Sequence, residues 1–335
     1  MVISIKTFVP TYFKAFSCIA DKCPDTCCAG WEADLDDEII EKYKSINGEL
    51  GERIKTHLSE DETGCAIFSL CENGRCPFLN ERNLCDIQAA LGEDFLSVTC
   101  SLFPRFFDDF ADIREMGLGF GCPEAARIML EDNQPFRLCP LNENDENMEV
   151  DEFYALCTNA RQKIFDILEA PSSDFKEKIL KVFETASELQ NEIDSFYEET
   201  EENELKFNDC VSLLEKMEYI NAERQSLLIN LKDCNCADIF REYHNDFEKL
   251  MKYYIFRYFL QGCYCDDAVT PVKYGVFACI VISRIYAQTK NLDFELRAKI
   301  MQGYSKEIEY SDVNMDLLDT EMYNTFTTKN LIKLI

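Results

Sequence analysis

The chain has 335 residues, 47% of them hydrophobic, and 63 acidic side chains against 34 basic ones give a formal charge of −29. Such a length can bury a sizeable core in one large domain or two. The negative field repels phosphate backbones and anionic lipid, so nucleic acid and membrane are excluded as expected partners, whereas a lysine-bearing protein is electrostatically acceptable.

At the start, MVISIKTFVPTYFKAFSC lacks the basic-then-apolar order of a secretory signal, because Lys6, Pro10 and Lys14 interrupt it. The longest apolar stretch, YGVFACIVIS at 274–283, ends at Arg284 and is about half the length of a membrane span. A cytoplasmic protein is expected. Thiols there are kept reduced, so the 18 cysteines point to metal binding or thiol chemistry ahead of disulfides or plain core packing. Neither His57 nor His244 has ligand spacing around it, so a metal site must rest on thiolates.

The first dense segment, CIADKCPDTCCAGW at 18–31, holds Cys18, Cys23, Cys27 and Cys28. Cys23 and Cys27 can reach one centre from a turn. The side chains of adjacent Cys27 and Cys28 are expected to diverge, which suits a polynuclear cluster, two nearby metals, or one ligand beside one structural thiol. The spacing is neither that of a zinc ribbon nor that of ordinary radical enzymes using S-adenosylmethionine.

Next, DLDDEIIEKYKSI places Ile39, Ile40, Tyr43 and Ile46 on one helical face, with Asp36 as cap. CAIFSLCENGRCPFL carries Asn73-Gly74 between apolar runs and predicts a hairpin. LCDIQAALGEDFLSVTCSLFP predicts two short helices punctuated by Gly92, and RFFDDFADIREMGLGF is ambiguous between strand and loop. CPEAARIMLED places Pro123 at the first helical position.

The polar, acidic CPLNENDENMEVDE at 139–152 predicts a linker, and YEETEENE at 197–204 a solvated loop. Beyond 150 the apolar period becomes helical in DEFYALCTNARQKIFDIL, FKEKILKVFETASELQNEI and VSLLEKMEYI. IFREYHNDFEKLMKYYIFRYFL continues it with one stripe through Ile239, Phe247, Leu250, Tyr254 and Tyr258. PVKYGVFACIVISRIYAQ is apolar on most sides and predicts the central buried helix. The fold class expected is mainly α, with a cysteine-rich, metal-organised module over 1–140, containing a short hairpin, packed on an α-helical bundle over 141–335.

Three motifs then carry a resemblance. FSCIADKCPDTCCAGWEADLD, CPFLNERNLCDIQAALGEDFLSVTCSLFPR and CPEAARIML are similar to the flagellin lysine-N-methylases and, more distantly, to cysteine-cluster proteins described as zinc or iron chelators. YYIFRYF (253–259) and YSKEIEYSDVNMDLL (304–318) extend it into the helical half. MGLGFGC departs from the family pattern, and with no clear strand before it, its glycines read as a local quirk and not as a cofactor loop.

The resemblance implies methyl transfer from S-adenosylmethionine to lysine side chains of flagellin, in a protein carrying a [4Fe–4S] cluster, with zinc as the alternative. The thiols matching its motifs are Cys18, Cys23, Cys27, Cys28, Cys76, Cys85, Cys100 and Cys122. Four would complete one cluster; three plus an open iron could bind the amino-acid end of S-adenosylmethionine. Cys65 and Cys71 fall outside the motifs. Cys157, Cys210 and Cys279 read as core residues, and the pairs Cys234/Cys236 and Cys263/Cys265 as structural.

A lysine ammonium must lose its proton before it attacks a sulfonium methyl, so the chemistry asks for a base and in-line alignment. Tyr304, Glu307 and Glu309 are the catalytic candidates, set against an exposed polar helix. Arg105 is a candidate partner for a cofactor carboxylate, or one half of a structural salt bridge. Trp31, the single tryptophan, is expected to pack over the cluster. A reading of another class is a non-enzymatic zinc- or iron-binding protein with a structural or redox-sensing role.

Overall fold

The computed structural model describes residues 5–61, 64–142, 150–171, 174–194, 199 and 204–335. The strands are β1 (Lys6–Pro10), β2 (Leu58–Glu60), β3 (Ala66–Phe68), β4 (Arg105–Phe110), β5 (Ile113–Leu118) and β6 (Leu138–Pro140). In the amino-terminal part the helices are α1 (Asp37–Lys44), α2 (Gly48–His57), α3 (Asp86–Leu91), α4 (Val98–Leu102) and α5 (Pro123–Glu131). They continue with α6 (Glu152–Glu169), α7 (Phe175–Ile193), α8 (Phe207–Lys216), α9 (Ala222–Ile229) and α10 (Ala237–Glu242). The last are α11 (His244–Tyr264), α12 (Thr270–Gln288), α13 (Phe294–Ile308), α14 (Asp312–Asn324) and α15 (Thr328–Leu334). The protein is thus mostly helical with a small sheet, and no described helix is long and apolar enough to cross a membrane.

Local chemistry explains many boundaries. Asp36 accepts from Ile39 N at 3.0 Å to cap α1, while its second oxygen accepts from Val98 N at 2.9 Å and ties α4 to the same turn. Pro123 opens α5, and Asp151, Asp174, Asn221, Asp293, Ser311 and Thr327 cap later helices with their side chains. Gly92, at φ 92°, ends α3 as expected.

Four strands form one sheet in the order β4-β5-β1-β6. β1 runs parallel to β5 and antiparallel to β6, and β4–β5 is an antiparallel hairpin that settles the ambiguous segment as strand. Between β1 and β4 lies the cysteine-bearing excursion. The expected hairpin around Asn73-Gly74 is corrected. Gly74, at φ 71°, does turn the chain, with Cys71 N donating to Arg75 O at 2.9 Å, but β3 pairs backwards with β2. The arm beyond the turn instead meets the first cysteine segment through the Ala29–Arg75 bridge.

The principal core runs from Val9 to Leu331 and draws on sheet and helices alike, while a smaller one gathers Leu35, Ile39, Tyr43, Ile54, Phe68, Phe78 and Ile87. α12 is the central helix: every residue from Thr270 to Tyr286 is buried. The long stripe at 239–258 is interrupted, because α10 ends at Glu242 and α11 restarts at His244. The predicted linker and acidic loop lie largely outside the described residues, at 143–149 and around 200.

Candidate functional site

All eighteen cysteines are free thiols. The motif cysteines are positioned by short structured segments. Cys76 N donates to Cys28 O at 2.9 Å, and a bridge between Leu79 and Cys85 folds the next thiol back onto that turn. Cys85 and Cys122 are the residues preceding α3 and α5, and Cys100 lies in α4, whose cap is Ser97. The neighbouring Cys27 thiol, aided by Thr26, Arg75 and Lys306, brings Cys28 down to about 7 against the effect of burial. Burial pushes Cys76 up to about 12 and Cys122 up to about 11.

The donor set fits a thiolate-bound metal in kind, and several thiols accept backbone N–H bonds: Cys23 from Asp25, Cys76 from Phe78, Cys85 from Ile87 and Gln88, Cys122 from Glu124 and Ala125. Such bonds stabilise ligating sulfur. Among the described residues, no three Cys, His, Asp or Glu side chains stand close enough together to hold an ion as placed.

The first cysteine loop docks on α13 through Asp25. Its carboxylate accepts from Lys306 Nζ at 2.9 Å, from Gln302 Nε2 at 2.9 Å and from the Arg224 guanidinium. Lys306 also donates to Thr26 O at 3.2 Å and lies 4.7 Å over the Trp31 ring. Burial alone would raise the Asp25 carboxyl, but Lys306 and Arg224 override it and hold it below the usual range. A depressed carboxyl contributes stability above its unfolded pKa of about 3.9, and that contribution is lost as pH falls through the native value. Asp25→Asn is expected to cost about 2 kcal/mol at pH 7 in urea unfolding and to flatten the acid limb of stability against pH. An unchanged acid limb would show that the docking contributes nothing.

α13 is not an exposed polar helix: Met301 through Glu309 are all buried. Glu307 accepts from Ile220 N at 2.9 Å and Arg224 Nη1 at 3.1 Å, so it clamps the turn before α9. Glu309 accepts from the hydroxyls of Tyr253 at 2.7 Å, Tyr254 at 3.1 Å and Tyr258 at 2.8 Å, and pairs with Arg257 at 3.3 Å. Burial sends these three phenols well above their ordinary value. The Tyr304 hydroxyl is buried with no hydrogen-bond partner among the described residues. YYIFRYF and YSKEIEY thus meet in one buried carboxylate–phenol–guanidinium cluster.

Two further candidates take their places in the fold. Arg105 makes no ion pair among the described residues and instead lies 5.2 Å over Phe16 and 5.9 Å over Phe13. Trp31 donates to Cys27 O at 2.9 Å and stacks on Tyr310 with centroids 5.5 Å apart, so it joins the thiol loop to the tyrosine cluster. The glycines of MGLGFGC lie at the end of and just after a genuine strand, β5, and they have a packing reason. A Cβ on Gly119 or Gly121 would collide with the Tyr310 ring, and one on Gly117 would come 2.7 Å from Phe256. The strand–turn–helix cradle is therefore filled by a side chain. Only the small side chains of MGLGFGC signalled a close approach, and the sequence did not say of what. Cys263 is buried beside Cys157, with which it interacts, while Cys265 is exposed.

Over 134 residues the chain is 32% identical to the flagellar biosynthetic protein FliU of Salmonella muenchen, which spans 37% of this chain and 76% of FliU. It is 31% identical over 134 residues to lysine-N-methylases of Salmonella typhimurium and Salmonella choleraesuis, and matches 32% of their length in each case. No family model and no solved structure matches.

Proposed function

Since this chain belongs to the family of FliU and the lysine-N-methylases, we propose that it transfers methyl groups from S-adenosylmethionine to lysine side chains of flagellin. The kinship carries this reading. The crowding of cysteines before residue 140 and the polar stretch at 139–152 are why residues 1–140 are taken as a cluster-binding module and 141–335 as its helical support.

In this reading the motif thiols Cys18, Cys23, Cys27, Cys28, Cys76, Cys85, Cys100 and Cys122 supply the ligands of a [4Fe–4S] cluster, or of zinc. A bound centre would order the loops and offer a docking point for the amino-acid end of the methyl donor. Ligation requires thiol deprotonation and inward movement of the sulfurs, so binding depends on pH and releases protons.

The transfer itself is polar. The lysine nitrogen lone pair forms the new N–C bond, the C–S bond breaks, its electrons leave on the thioether sulfur, and the lysine proton passes to base or solvent. Arg105, with no carboxylate partner among the described residues, is suited to the donor's carboxylate. Glu307 and Glu309 are engaged by Arg224, Arg257 and three tyrosines, so their part is positioning; Tyr304 keeps the unpartnered hydroxyl. The net charge of −29 attracts a cationic side chain.

Protein purified without air and incubated with flagellin and methyl-labelled S-adenosylmethionine is expected to place label on lysine. Absence of label with the metal centre intact would sink the activity and leave the metal-binding protein of structural or sensing role.

A further inference from the structure

Resting on the thiol-centre reading above, we propose that the eight motif cysteines form two adjoining four-thiolate centres and not one. Cys28, Cys76, Cys85 and Cys100 hold the first; Cys18, Cys23, Cys27 and Cys122 hold the second; the two meet at the Cys27–Cys28 peptide.

The first set is gathered by local backbone pairing around the smaller core. The Ala29–Arg75 bridge and the Cys76 N to Cys28 O bond lay two cysteine segments side by side. Asp86 N donates to Phe78 O at 2.8 Å, which returns Cys85 to the same turn. Cys100 is brought in by Asp36, through Val98, and by Tyr43, whose hydroxyl donates to Phe95 O at 2.8 Å. Tyr43 lies within electrostatic reach of Cys76, Cys85 and Cys100 together. Within this set each of the six thiol pairs lies within electrostatic reach.

The second set hangs on the helical layer. The side-chain amide of Gln302 donates to Asp25 Oδ2 and to Gly121 O, both at 2.9 Å, and so holds the 23–27 loop against the start of α5 where Cys122 sits. Cys18 lies within electrostatic reach of Cys23, Cys27 and Cys122, and Cys23 of Cys122. Across the border, Cys27 lies within electrostatic reach of Cys28 and Cys100.

Four thiolates complete one zinc, one iron or one [4Fe–4S] centre. With a single centre, four of the eight thiols would be left over, although N–H donors are aimed at sulfurs in both sets: Cys76 and Cys85 in the first, Cys23 and Cys122 in the second. Different anchors, a small local core in one case and α13 in the other, make the two sets separable.

The test uses the whole chain made without air. Metal and acid-labile sulfide are counted per chain, then chelator is added stepwise, freed thiols are alkylated with iodoacetamide, and labelled cysteines are identified by mass spectrometry. The expected result is two protected sets of four, released in separate steps with the memberships given; sulfide separates iron–sulfur from zinc. Protection of only four cysteines, release of all eight together, or sets that mix the two groups would overturn the proposal while leaving a metal centre standing. A chain with no bound metal would overturn both. Independently, Cys85→Ser with Cys100→Ser, and Cys18→Ser with Cys122→Ser, should each remove one centre and keep the other. Loss of all metal from either pair would count against two centres.

Discussion

Glu309→Leu is expected to lower the stability of the protein by about 3–5 kcal/mol, measured by urea unfolding at neutral pH. The carboxylate is buried, and three phenol hydroxyls from α11 converge on it together with the Arg257 guanidinium. Leucine fills the volume but leaves those donors without an acceptor in a water-poor site, and desolvation of unpaired groups dominates. Arg257 compounds the cost, since it is packed among Phe106, Tyr258 and Tyr310 and cannot move freely to water. Glu309→Gln, which keeps one acceptor, should lose less. The phenols add a pH signature: raised native values contribute stability below the unfolded pKa of about 10, lost as pH rises past it. A loss under about 1 kcal/mol in the leucine variant would show that the cluster does not bind α11 to α13.

Arg161→Met is expected to cost a similar amount, about 3–5 kcal/mol. Arg161 grips Glu115 with two bonds, at 2.6 and 2.7 Å, and both side chains are about 4% exposed. Glu115 sits on β5, in the middle of the sheet, and also accepts from Tyr154 at 2.6 Å. Methionine replaces the volume and strands a carboxylate in the core. The pair with Glu115→Leu should recover much of the loss, because two apolar residues there need no partner. Equal losses in the single and double variants would show that packing of the arginine over Phe256 matters more than its charge.

Elements with a local signal were legible in the chain. Asp36 before an apolar face, Pro123 at a helix start and the all-round apolar run of α12 each specify their structure from neighbours alone. The sheet was obscured because β4 alternates Phe106, Asp108 and Phe110 on one face, so a carboxylate interrupts the apolar period. α13 was misread for a related reason. Gln302, Lys306, Glu307 and Glu309 look like a solvated face until Asp25 and Arg224 are brought to it, and no sequence period encodes a partner 277 or 281 residues away. The cysteine motifs named the candidate thiols, whereas the division into sets proposed above depends on how β5, α5 and α13 meet.

The Asp25 docking also sets an order of assembly during synthesis. The smaller core closes between residues 35 and 95, so a nascent chain can complete it soon after that stretch leaves the ribosome. Asp25 finds its amide and ammonium partners only when Gln302 and Lys306 emerge. Until then the first cysteine loop has no α13 to rest on, and its thiols stay open to solvent.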